Sequence, residues 1–321
     1  MKKIVGFIIH SKAATIVAAL LCISMWWLSL ESQSSLLTSG IATLFYPVLG
    51  FYLMRINKRI AFNIPGNSPL AGTLFLMSCA LLPQMATDLT PIVHLILFVS
   101  ACSLLLHTYR RNDAMGTYFI AFALAGVASL ITPTILFVAP LLLICCSFLK
   151  SLHIRTALAA LLGLLLPYWI GVCTLFLTDT PIPVETFADT LLSPTSSTPY
   201  KELFLANGYK LPFVVIQMLW LLLLTTPSII ATFFSRSILK ARTQSSLYFL
   251  TTIMLLTLVF VAIFPALYTT LMPLLILANA ISGVTFFSGR NNMGSRVYLL
   301  IMLIVWILMI ALSVWNISTT Y

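Results

Sequence analysis

The sequence predicts an all-α membrane protein, a bundle of about 11 transmembrane helices forming one domain over residues 1–321. Hydrophobic residues make up 60% of the chain and charged residues 7%, whereas a soluble domain carries about 25% charged residues. Apolar runs near the ~20 residues that cross a bilayer as a helix recur along almost the whole chain. Short basic clusters separate alternate runs, which is typical of loops that stay on the cytoplasmic side.

The distribution of charge predicts the topology. When the loops alternate between two sides, 15 of the 17 Lys and Arg residues fall on the side of the N-terminus, and only Lys201 and Lys210 fall on the other. Of the seven acidic residues, only Asp113 falls on the basic side. A wrong helix count would reverse every later loop and mix the charges. The positive-inside rule therefore predicts a cytoplasmic N-terminus and a periplasmic C-terminus.

The first predicted helix runs from Ala13 to Leu30 and follows a short basic segment that ends at Lys12. Trp26 and Trp27 lie where the aromatic belt of a membrane interface is expected. The arrangement resembles a signal peptide, but no small-residue cleavage site follows it. We expect an uncleaved first span.

The later spans are bounded by turn residues or by basic clusters. The second follows Glu31–Ser35 and ends near Met54, and the third and fourth lie between the turn cluster 63–69 and His107. The fifth and sixth form a hairpin that turns at 132–134 and ends at Lys150. The remaining predicted spans are Thr156–Leu177, Leu211–Phe234, Leu247–Phe264, Ala266–Phe287 and Val297–Asn316.

A long segment at 178–210 is predicted to face the periplasm. It is longer than the ~2–8 residues that connect helices in bundles, and it mixes apolar with polar residues. Residues 199–207 read as a short helix that begins at a proline and stops at Asn-Gly. Its apolar side is predicted to lie on the membrane interface, to bind a partner, or to cover the chain's own helix ends. The partner-binding candidates are Tyr200, Leu203, Phe204 and Tyr209.

Candidate catalytic residues lie at the predicted exterior face. They are Glu31, Asp88, His94 and Asp179. A His beside a carboxylate can serve as a general base, and an interfacial His bonded to polar neighbours is the competing interpretation. No charged residue lies at the middle of a span, where ion and proton pathways place them. Gln217 and Asn279 carry the deepest amide side chains. We expect these side chains to form hydrogen bonds between helices and not to bind a substrate.

No cofactor or metal site is predicted. The sequence has no phosphate-binding loop or dinucleotide fingerprint, and its four histidines divide between the two faces. All six cysteines lie in apolar runs, which predicts neither disulfides nor a CxxC site. The scattered basic clusters predict contact with anionic lipid and not nucleic acid. Those assigned to lipid are Arg55, Lys58, Arg59, Arg110, Arg111, Arg236, Lys240 and Arg242.

Short motifs carry a resemblance to a known family. They are Asn57, Asp113-Ala114, Ala128-Ser129-Leu130 with Pro133, Arg155, Leu162-Gly163, Pro167-Tyr168 and Thr178-Asp179. Over roughly residues 1–210 the chain resembles polytopic inner-membrane proteins of unknown function found in Bacteroidota. Its first exterior loop is shorter than that family's. The resemblance implies a multi-pass protein of a bacterial inner membrane and implies no activity.

Three functions remain open. The leading hypothesis is an accessory or scaffold subunit in envelope biogenesis or secretion, which binds the lipid bilayer and partner membrane proteins and is not an enzyme. The second is a glycosyltransferase-like membrane enzyme that uses a polyprenyl-phosphate donor, with Glu31 or Asp179 as its base. The third is a permease for a neutral or apolar solute, which the proline-interrupted spans favour.

Overall fold

A computed structural model describes residues 7–8, 11–29, 36–59, 69–82, 89–179, 184–192, 211–234, 241–263, 268–289 and 293–318. Within these ranges the regular structure is helical, with twelve α-helices and two 3₁₀ turns at Pro133–Phe137 and Ser147–Leu149. The helices are α1 Lys12–Ser29, α2 Leu36–Arg59, α3 Leu70–Ala80, α4 Thr90–Leu106, α5 Met115–Ile131, α6 Val138–Cys146, α7 Ile154–Leu177, α8 Val184–Leu192, α9 Leu211–Phe234, α10 Ala241–Ile263, α11 Tyr268–Gly289 and α12 Met293–Ser318.

The prediction of a helical bundle is confirmed. Every helix except α8 falls on a predicted span, and the observed bounds of α9 are those predicted. Three of the described segments are both long and apolar enough to cross a membrane: α7, α10 and residues 294–311 of α12. The number of spans and the orientation of the termini stay predictions. Helix α8 was not predicted, and the helix predicted at 199–207 lies outside the described residues.

The chain divides into two compact units. Unit 1 comprises residues 1–92, 204–243 and 276–321, and unit 2 comprises residues 93–203 and 244–275. Unit 1 therefore holds α1, α2, α3, α9, α12 and the second part of α11. Unit 2 holds most of α4 and α10, all of α5 to α8, and the first residues of α11.

Helix α3 lies at the centre of unit 1, because every one of its residues is buried. Helix α3 contacts α1 at two places, and the residue numbers increase along both helices from the first to the second. The hydroxyls of Thr15 and Thr73 are 3.0 Å apart, and the Trp26 indole N–H donates to the Cys79 carbonyl at 3.0 Å. Helices α1 and α3 therefore run in the same direction. Hydrogen bonds of this kind join helices in an apolar environment.

Helix α2 runs against α3. A Cβ atom at Gly72 would lie 2.5 Å from the backbone oxygen of Gly50, and the Tyr46 ring, one turn earlier in α2, stacks on Phe75 at a centroid distance of 6.3 Å. Because the lower number on one helix meets the higher number on the other, the two helices are antiparallel. The two glycines allow the backbones to approach closely, as small residues do between membrane helices.

Pro227 interrupts the hydrogen bonding of α9, and a neighbouring helix compensates. A proline inside a helix leaves the carbonyl four residues earlier without its N–H donor, which here is the carbonyl of Leu223. The Tyr298 hydroxyl of α12 donates to this carbonyl at 2.6 Å, and Thr226 donates to it at 3.1 Å. The freed backbone group is therefore satisfied, as a bilayer requires.

In unit 2, helices α5 and α7 make the closest helix contact. A Cβ atom at Gly126 would lie 2.6 Å from the Leu164 oxygen, and one at Gly163 would overlap the Phe119 oxygen. The residue numbers rise together on both helices, so α5 and α7 are parallel. Glycine is required at both places because any side chain would separate the backbones.

Candidate functional site

The candidate site lies in unit 2, where α4, the end of α5 and the first 3₁₀ turn meet. Helix α5 ends because Thr132 takes an extended conformation and Pro133 begins the 3₁₀ turn. His94, one turn into α4, is only 1% exposed. Its ring hydrogen-bonds the backbone of Ala128, and its Nε2 atom has no hydrogen-bond partner among the described residues. The ring is therefore enclosed by the chain, and its position at a membrane interface stays a prediction.

Hydroxyl groups accompany His94 at this end of the unit. The Tyr168 hydroxyl of α7 donates to the Ser129 hydroxyl at 2.7 Å, and Ser129 donates to the Gly126 carbonyl at 2.8 Å. Thr134 is buried, and its hydroxyl has no partner among the described residues. An unpaired buried polar group costs about 1–3 kcal/mol. His94 bonds to Ala128, and Thr134 follows Ala128 by six residues, so both unpaired groups lie near the end of α5, where a polar ligand or water could satisfy them.

Helix α8 covers part of this site. Its Phe187 ring meets the Tyr168 ring edge to face, with the centroids 5.8 Å apart, and α8 packs on the 3₁₀ turn Pro133–Phe137. The first part of the segment 178–210 therefore packs on α7 and on the first 3₁₀ turn. Its start could have been found in the sequence, since Pro183 and Glu185 are typical of a helix N-terminus.

Of the four catalytic candidates, the structure describes His94 and Asp179. Asp179 is exposed, just beyond α7, with a φ of 48°. Glu31 and Asp88 lie outside the described residues, so a carboxylate partner for His94 is not described. The part of the chain that the structure describes holds no group of three or more His, Cys, Asp or Glu side chains that could bind a metal. The arrangement can accept or donate hydrogen bonds to a neutral ligand.

In unit 1, Asn279 of α11 is the corresponding polar group. It is 0% exposed, and neither amide atom has a partner among the described residues. The hydrogen bond between helices that was predicted for Asn279 is therefore not among those described. One turn later in α11, Ser282 donates to the Ser228 hydroxyl of α9 at 2.8 Å. One turn before Asn279, Ile276 lines a cavity of about 10 Å³ with Ser78, Leu81, Leu82, Trp220 and Leu221, which is about the space one water molecule needs.

The other predicted residues fall on or outside the described parts. Arg110, Arg111 and Arg242 are exposed. The backbones of Arg55, Lys58 and Arg59 form the end of α2, but their side chains are not among those described. Gln217 lies in α9, and its side chain is likewise undescribed. The residues outside the described ranges are Arg236, Lys240, Tyr200, Leu203, Phe204 and Tyr209.

A buried hydroxyl network in unit 2 was not predicted. The Ser151 hydroxyl is 2.9 Å from the Tyr118 hydroxyl and 3.0 Å from that of Thr108. The sequence does not reveal such a network, because these isolated Ser, Thr and Tyr hydroxyls form hydrogen bonds with one another only after three separate segments have packed. The network joins the turn before α5 to the turn before α7.

Comparison with known proteins finds no matching family model, no similar curated protein and no similar solved structure. The resemblance to an inner-membrane family therefore stays a prediction.

Proposed function

We propose that the chain is a multi-spanning protein of a bacterial inner membrane that acts as an accessory or scaffold subunit for other membrane proteins. Three long apolar helices support a membrane location. The directions of the helices support the alternating topology: α1 and α3 are parallel and α2 is antiparallel to them, as a first, third and second span must be. Helices α5 and α7, the fifth and seventh predicted spans, are also parallel.

Topology reporters test the orientation. Fusions after the basic clusters should read cytoplasmic, because the positive-inside rule retains those loops, and fusions after the acidic loops should read periplasmic. The cytoplasmic positions are Arg59, Arg111, Arg155, Arg242 and Arg296, and the periplasmic positions are Asp88 and Thr195. A cytoplasmic reading at Thr195 would contradict the eleven-span topology.

The observation that carries the scaffold role is Trp169 on the outer face of α7. The side chain is 66% exposed, and its indole N–H has no hydrogen bond to the described residues. Helix α7 has 24 residues, and Trp169 lies about 5 Å along the axis from its middle at a rise of about 1.5 Å per residue. The aromatic belt lies about 15 Å from the bilayer centre; with α7 centred in the bilayer, Trp169 is therefore too deep to belong to it.

A helix of another membrane protein accounts for this position. Tryptophan is enriched at protein interfaces because it combines a large apolar surface with one donor. In hydrocarbon the donor would be unpaired, whereas a partner helix can supply a carbonyl or hydroxyl acceptor. Close packing and hydrogen bonds are also what associate helices in lipid. The wider role in envelope biogenesis or secretion is a further part of the proposal and rests on the long exterior segment.

Photo-crosslinking in native membranes tests the scaffold role. We expect Trp169→p-benzoylphenylalanine to give a cross-linked species of discrete mass that contains a second membrane protein. The same replacement at Trp27 is the matched control, because Trp27 is 52% exposed but lies near the end of α1. Mass spectrometry identifies the adducts. Lipid adducts alone at position 169, or the same protein adduct at both positions, would contradict the proposal.

A further inference from the structure

Two turns of unit 2 form one basic surface. One turn joins α4 to α5 and the other precedes α7. The Arg110 N–H donates to the Leu149 carbonyl at 3.1 Å, and the hydroxyls of Thr108 and Ser151 are 3.0 Å apart. These bonds hold the two turns side by side. The exposed cations of the turns, here called the basic end of unit 2, are Arg110, Arg111, Lys150 and Arg155.

The conformation of this surface is determined by the backbone. Arg110 and Lys150 both adopt left-handed conformations, with φ of 56° and 54°, which end their respective turns. Neither residue is glycine or asparagine, although those types adopt this conformation at lower cost. Backbone hydrogen bonds from the Arg110 N–H to the Leu149 carbonyl and from the Lys150 N–H to the Ser147 carbonyl support this conformation.

The positive charge of the basic end is not neutralised. Within the described residues none of its four cations forms an ion pair, and the exposed carboxylate of Asp113 in the same turn forms none either. Helices α5 and α7 are parallel and both begin at this end. The α5 cap residue, Ala114, makes no side-chain cap. Two helix N-termini add partial positive charge to that of the side chains.

An apolar surface begins directly beside these cations. Ile154, the first residue of α7, is 77% exposed, and Leu158 and Leu161 continue the same exposed stripe at 56% and 54%. The spacing of four and then three residues places them on one face of the helix. A cation-rich end that adjoins an apolar stripe matches the headgroup and chain of one amphipathic molecule.

We propose that the basic end of unit 2 and the start of α7 bind an anionic glycerophospholipid. Its phosphate contacts Lys150, Arg155 and Arg110, and an acyl chain lies along Ile154, Leu158 and Leu161. A phospholipid fits better than a free anion because the apolar stripe is contiguous with the cations. An acidic protein fits less well because Ile154 would then lie against a charged surface.

Native mass spectrometry of the delipidated full-length protein tests this site. We expect phosphatidylglycerol to bind more tightly than phosphatidylcholine with the same chains. Lys150→Gln combined with Arg155→Gln should weaken phosphatidylglycerol binding about 30-fold, since each basic residue near an anionic headgroup contributes about 1 kcal/mol. The matched control, Lys2→Gln with Lys12→Gln, removes the same charge from the N-terminal segment of unit 1 and should keep full affinity.

Two more variants separate the sources of the phosphate and protect against misfolding. Ile154→Asn with Leu158→Asn should weaken binding of the lipid but not of inorganic phosphate, which lacks chains. Lys150→Arg with Arg155→Lys keeps the charge and should keep lipid binding. Equal binding of the two lipids would overturn the proposal. So would an equal loss in the control, or inorganic phosphate that binds as tightly as the lipid.

Discussion

Helices α7 and α11 have similar composition and opposite surroundings. Both are apolar, of 24 and 22 residues, and each contains one proline. In α11 every residue from Leu271 to Val284 is buried. In α7 only Thr156, Ala160, Gly163 and Pro167 are buried, so none of its large aliphatic or aromatic side chains is. Hydropathy alone therefore does not say whether a membrane helix is central or peripheral.

The arrangement of the buried small residues around the helix axis separates the two. At about 100° per residue the four buried residues of α7 lie within an arc of about 60°, so neighbours can approach closely from one side only. In α11 the small residues Ala278, Ala280, Ser282 and Gly283 spread over about 200°. Close approach is then available from several sides. Because lipid is as apolar as leucine, large apolar side chains do not favour a protein neighbour over lipid. Close packing at small residues does.

The largest expected effect comes from closing the small face of α7. Gly163→Ala places a Cβ atom into the Phe119 carbonyl, and overpacking of this kind costs about 1–3 kcal/mol. We expect a lower midpoint of thermal unfolding in detergent, measured by circular dichroism. Gly171→Ala is the matched control, because a Cβ atom there meets no atom within 4 Å. It should leave stability unchanged or raise it slightly, as alanine favours a helix.

Equal stability of these two alanine variants would show that the glycine face of α7 does not determine its packing. The contrast with α11 would then need another cause. A loss of stability in Gly163→Ala alone would support the contrast between α7 and α11, because the two glycines lie on one helix and differ only in what their α-carbons face.

A smaller effect is expected at the buried amide of α11. Asn279→Leu replaces an amide that has no described partner with an apolar side chain of similar size, and we expect it to raise the free energy of unfolding by about 1 kcal/mol. Ser282→Ala, the comparison variant, removes the bond to Ser228 and should lower that energy by about 0.6 kcal/mol. Thermal unfolding measures both. A loss of stability in Asn279→Leu would mean that the amide binds water or another ligand in the intact protein.

Much of the helical layout could be predicted from the sequence. Charges are costly inside a bilayer, so basic clusters and turn residues delimit the helices; Thr132 and Pro133 end α5 at the predicted place. The bounds of α9 were also predicted. Helix α8 was missed because it is short, and its apolar residues Phe187 and Leu191 repeat only once. Such a segment gains stability mainly from packing, here on Tyr168.

The candidate site was less predictable. The sequence indicated His94 as a candidate because imidazole is rare in an apolar run. Its burial against Ala128 could not be predicted, because it depends on packing between α4 and α5. The sequence also could not show that Asn279 lacks a partner while Ser282 has one, since both residues face their neighbours only after several helices assemble. Helix periodicity is uninformative here, because lipid-facing and buried faces are both apolar.

The parallel contact between α5 and α7 also has a consequence for biosynthesis. Two parallel helices need a third segment to bring the chain back, which here is α6 with its 3₁₀ turns. The contacts that Gly126 and Gly163 make between α5 and α7 therefore cannot form until the chain has been synthesised through α7. Until then the glycine face of α5 lacks the neighbour it has in the folded protein, so the packing of α5 cannot be completed before α7 has been made.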